Sequence, residues 1–86
     1  MKARVVIIND LGLHARPLSK WLQIVNKYDV EVEVLKGNKK YNGKSMISLM
    51  QMGAEKGDDL IIETDGKDEE DTLNELVDLI KCGFGE

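Results

Sequence analysis

The chain of 86 residues has one cysteine, one histidine, one proline, one tryptophan and one phenylalanine. A lone Cys82 leaves no disulfide to form within the chain. With a single histidine beside it, no zinc site of three or four nitrogen, sulfur or carboxylate ligands is expected, and no cofactor site either. Aromatic residues make up 5%, so the core must be aliphatic and no stacking platform for bases is available. Lysine and arginine total 12 against 16 acidic residues, a net charge of −4. That balance argues against nucleic-acid binding, which needs clustered cations to displace counterions from phosphates. No apolar run approaches the ~20 residues that span a bilayer. The opening MKARVVIIND carries too short an apolar run for a signal peptide. A cytoplasmic protein without membrane insertion is the expectation.

Hydrophobic residues at 42% and charged residues at 33% fit a soluble globular chain. This length suits one domain, residues 1–86, which buries only roughly 60% of its unfolded surface. Lys2 to Ile8 reads as a strand, closed by Asn9-Asp10 and Gly12. From Pro17 the period changes: Leu18, Trp21, Leu22 and Val25 lie on one face of a helix with proline in its first turn. Val30, Val32 and Val34 alternate with Glu31 and Glu33, a strand with one wet face. Gly37-Asn38 is a hairpin turn into a short polar strand, Lys39 to Asn42, whose lysines suit a sheet edge. Ser45 caps a short helix to Met52, stopped by Gly53 and Gly57. Leu60 to Thr64 is the next strand. Asp68 then caps a last helix with a buried stripe of Leu73, Leu76, Val77 and Ile80, closed by Gly83. The order βαββαβα, with one apolar face per helix, predicts one sheet with all helices on one side.

The stretch Gly12 to Trp21, GLHARPLSKW, sets the only histidine three residues before the only proline. Pro17 fixes φ and removes an amide that would be unpaired anyway. The remaining first-turn amides point out of the helix and make that end receptive to an anion. A ring placed over them is held neutral, hence nucleophilic near pH 7. A phosphoryl group on His14 would face those amides and the Arg16 guanidinium. Read from these residues alone, His14 is either such a site or a bystander at a helix cap. A serine hydrolase is excluded, since no nucleophile elbow surrounds Ser45.

Gly12-Leu13-His14-Ala15-Arg16-Pro17 resembles the active-site motif of the HPr family, the histidine-containing phosphocarriers of the phosphoenolpyruvate-dependent phosphotransferase system. The runs Lys44 to Ile47, Gly53 to Asp58 and Gly66 to Glu70 match that family's order and spacing as well. The resemblance implies an α+β open-faced β-sandwich with an antiparallel sheet in order 1-4-2-3 and three helices on one face. It also implies a relay in which Enzyme I phosphorylates Nδ1 of His14, and His14 passes the group to an enzyme IIA domain. Arg16 would then shield phosphate charge, with Ala15, Arg16 and Pro17 completing the site, and the protein would be a monomeric carrier, not an enzyme. Leu18 and Trp21 depart from the family's common residues and imply a repacked first helix.

Ser45 matches the family's regulatory serine, a target of a dedicated serine kinase/phosphorylase, while serving equally well as an N-cap. Met46, Ile47, Leu49, Met50 and Met52 crowd two turns, more than a helix lying on a sheet can bury. Exposed methionine-rich patches adapt to several partners; Met46, Ile47 and Met50 are the expected exposed members, for docking Enzyme I, IIA and the kinase. Two further readings stand beside this one. Asn9-Asp10-Leu11-Gly12 resembles the nitrogen-related branch, a regulatory paralogue with the same His14 chemistry. Alternatively, Ser45 and the methionine patch bind a transcriptional regulator and His14 is vestigial.

Overall fold

A computed structural model describes residues 1–10, 12 and 15–85. Its elements run β1 (Lys2–Val6), α1 (Ala15–Lys27), β2 (Glu31–Lys36), β3 (Lys39–Asn42), α2 (Met46–Met52), β4 (Asp59–Asp65) and α3 (Glu69–Lys81), then a 3-10 turn at Gly83–Gly85. The strands form one sheet in order β1-β4-β2-β3, and every neighbouring pair is antiparallel. The expected architecture is therefore present.

Alternation decides which face is buried. Val5 and Ile7, Val32 and Val34, and Leu60 and Ile62 join Leu18, Trp21, Val25, Leu49, Leu73, Leu76 and Ile80 in one core. Each such side chain contributes ~1.5–3 kcal/mol of transfer free energy. The opposite face is wet and carries cross-strand ion pairs: Lys2 with Glu63 at 3.2 Å and Arg4 with Asp59 at 3.0 Å. Exposed pairs of this kind specify register more than they stabilise. β3, with Lys39 and Lys40 exposed, lies at a sheet edge as its charges foretold.

Four local details differ from the sequence expectation. β1 stops at Val6, but Ile7 keeps strand-like bonds, donating to Asp58 O at 3.1 Å and accepting from Gly57 N at 2.8 Å. α1 starts at Ala15, putting Pro17 third in the helix, where its missing amide still costs no helical bond. Asp68 occupies the cap position of α3 without capping it; its carboxylate instead accepts from Asp29 N at 2.8 Å, tying the α3 start to the α1–β2 connection. Finally, Gly83 does not end the ordered chain. The turn beyond it buries Phe84 completely.

Candidate functional site

His14 lies outside the described residues, so the site is built from what brackets it. On the β1 side, Asn9 Nδ2 donates to Gly12 O at 2.8 Å and Gly12 N to Asn9 O at 3.1 Å, closing a tight turn. Gly12 has φ 63, and a Cβ there would stand 2.5 Å from Ala54 O. Only glycine permits that approach. The 54–58 segment thus backs the connection, held by the Ile7 bonds and by Lys56 Nζ on Asp10 Oδ1 at 2.8 Å. Lys56 lowers the pKa of the Asp10 carboxyl through that hydrogen bond and its charge. Asp58 is also held low, first by the Glu55 amide and then by Lys36. Lys36 Nζ reaches Asp58 at 3.2 Å and the Met52 carbonyl at 3.3 Å, linking this segment to the end of α2.

On the other side, α1 begins at Ala15, directly after the histidine. Ala15 and Arg16 are exposed and Pro17 is buried. Ser19 Oγ donates to Ala15 O at 3.1 Å within the first turn, and the amides of a first helical turn have no acceptor within their own helix. An anion there gains ~0.3–1 kcal/mol, up to ~2 where partly buried. That is enough to orient a phosphoryl group and too little to trap it. Arg16 and Pro17 also line a cavity of about 250 Å³ with Lys20, Phe84 and Gly85.

The neighbouring helix α2 is positioned from both sides. Trp21 Nε1 donates to Gly43 O at 2.7 Å inside the core, fastening α1 to the turn that precedes Ser45. Ser45 is the N-cap, its hydroxyl accepting from Ser48 N at 3.2 Å. Leu49 and Met52 point into the core, while Ile47 is 71% and Met50 51% exposed. Met46 departs from the expected exposure: it is half-buried and packs on the core. The sequence reading named Asn9 and Ala54 only within turn and family-like runs and gave them, Lys20 and Phe84 no part in the site; for Phe84 the available signal was a lone phenylalanine between two glycines. Among the described residues no group of three or more His, Cys, Asp or Glu could hold a metal ion, and no helix is long and apolar enough to cross a membrane.

A helix-backed 1-4-2-3 sheet with an Ala-Arg-Pro helix start after a single histidine defines a small open-faced β-sandwich class of domain. A family model described as the PTS HPr component phosphorylation site matches residues 1–81. The phosphocarrier protein HPr of Neisseria meningitidis serogroup A is 44% identical over 86 residues, covering 100% of this chain and 97% of that one. HPr of Pseudomonas aeruginosa is 39% identical, covering 95% and 92%. The crystal structure of HPr-C-His from Thermoanaerobacter tengcongensis superposes with a TM-score of 0.96 at 38% identity, covering 100% and 97%. The chain belongs to the HPr family, the phosphocarriers of the phosphotransferase system.

Proposed function

We propose that His14 is the phosphoryl acceptor and that the chain, acting as a single domain in the cytoplasm, carries the group from Enzyme I to enzyme IIA domains. The supporting observation is the start of α1 at Ala15, which sets the helix's N-terminal end and the exposed Arg16 immediately after the only histidine. In transfer, the Nδ1 lone pair of His14 forms an N–P bond as the donor's phosphorus–nitrogen bond breaks, and the electron pair returns to the donor's ring. Ala15 and Arg16 amides orient the phosphoryl oxygens, and the Arg16 guanidinium offsets their charge. Pro17 holds the helix start in register. The protein is thus a substrate of its partners and catalyses nothing alone.

The exposed face of α2, with Ile47 and Met50 at its centre and Met46 at its margin, serves as the docking surface for those partners. Phosphorylation of Ser45 by a serine kinase would add about −1.5 to −2 charge beside that face, weakening contact with an acidic partner. The test is to mix the protein with Enzyme I and phosphoenolpyruvate and record intact mass before and after mild acid. One phosphoryl group, lost in acid and absent in His14→Ala, is the expected result. No addition while another carrier is charged under the same conditions defeats the reading.

A further inference from the structure

The terminal turn Gly83–Gly85 bridges the two elements that bracket the histidine motif. On the β1 side, Gly83 lies beside Asn9 and Ile8, which a Cβ would touch at an ordinary contact distance of 3.9 Å. On the α1 side, Lys20 Nζ donates to the Phe84 carbonyl at 2.5 Å, and a Cβ on Gly85 would stand 3.1 Å from that same nitrogen. Between these contacts the Phe84 ring is fully buried. Its backbone sits at φ 59, a left-handed conformation that bulky residues adopt only when their surroundings impose it. Ring burial rewards that conformation, and the Lys20 bond satisfies the carbonyl it exposes. The turn and Lys20 together wall the 250 Å³ cavity that Arg16 and Pro17 complete.

We propose that Lys20 is a positioning residue: it clasps the terminal turn onto α1, so that the turn confines Arg16 beside the phosphoryl site. The proposal rests on the carrier function above for its kinetic consequence, and on the Lys20–Phe84 geometry for its structural one. Lys20 acts through Arg16 and touches no phosphoryl oxygen in this scheme. Without the clasp the turn loses its hold on α1. Arg16, already exposed, then loses the wall beside it and samples more conformations before each transfer.

The full chain, labelled with nitrogen-15, tests both parts. Heteronuclear NOE values at the Gly85 amide and the Arg16 Nε–H should fall in Lys20→Met, stay unchanged at Ile47 and Met50, and recover in Lys20→Arg. Lys20→Gln, which keeps a donor but falls short of the carbonyl, should behave as Lys20→Met and covers the case in which one variant folds poorly. In transfer to an enzyme IIA domain, kcat should drop roughly three- to tenfold in Lys20→Met with KM unchanged, short of the ~100-fold that misplaced reacting groups cost. Unchanged relaxation at Gly85 and Arg16 overturns the clasp, as does an equal loss of kcat in Lys20→Arg. A wild-type chain that accepts no phosphoryl group would defeat the carrier reading alone, and the relaxation data would still decide the clasp.

Discussion

Gly12 carries more of the site's geometry than its lack of a side chain implies. Its φ of 63 and the 2.5 Å approach to Ala54 O leave no room for a Cβ, and the neighbour is backbone that cannot step aside. Gly12→Ala should therefore destabilise the fold by about 1–3 kcal/mol and shift the Ala54 and Glu55 amide resonances. Phosphoryl transfer should fall with them. Urea unfolding and a two-dimensional amide spectrum check this, and a wild-type midpoint with unmoved resonances would count against the close approach. Trp21 shows the same logic in the core, since its indole answers a buried carbonyl of Gly43 that would otherwise cost ~1–3 kcal/mol. The motif's spacing pointed to Gly12 as a bend. That Ala54 is what presses on it required the 54–58 segment to fold back beside β1.

Helix α2 separates stability from recognition along its own surface. Leu49 and Met52 fill the core, Ser45 caps the start, and Gly53 closes the end at φ 60. Ile47 and Met50 contribute little to any of that. Ile47→Glu should leave the unfolding free energy within about 0.5 kcal/mol of wild type, yet raise the KM of Enzyme I for the carrier about tenfold, the equivalent of ~1.4 kcal/mol. A loss of stability with unchanged KM would remove α2 from the docking surface. The sequence showed that five large apolar residues overfill two turns. It could not rank them, because Met46 differs from Met50 only in which side of α2 meets the sheet and α1.

At the scale of the whole molecule, charge ties distant segments together. Lys56 reaches Asp10, Lys36 reaches Asp58, and Glu75 accepts from Tyr28 and Lys27. Asp10, Asp58 and Glu75 all have pKa values lowered in the fold, Glu75 chiefly by the Tyr28 hydroxyl and then by Lys27. A carboxyl with a depressed folded pKa binds fewer protons folded than unfolded, so its contribution is complete above the ordinary carboxyl value of ~4. It is lost as pH falls through the folded value. The urea midpoint should accordingly decline below about pH 4, and Asp58→Asn should flatten part of that slope. Each link is at least partly exposed and small alone, so an unaltered slope in the variant would show that Asp58 carries none of it.

Local chemistry was enough to determine the element order, the wet and dry faces of β2, the Ser45 cap and a proline in the first turn of α1. Those depend on residue period, φ preference and hydrogen-bonding capacity within a few positions. Sequence could not decide what happens where remote segments meet. Asp68 spends its carboxylate on Asp29 instead of its own helix, because α3 begins beside the end of α1. Phe84 becomes a core residue and Lys20 its clasp because the sheet brings the chain's end against β1 and α1. Contacts across more than 60 residues of chain leave no local period to read, and they set the wall of the site.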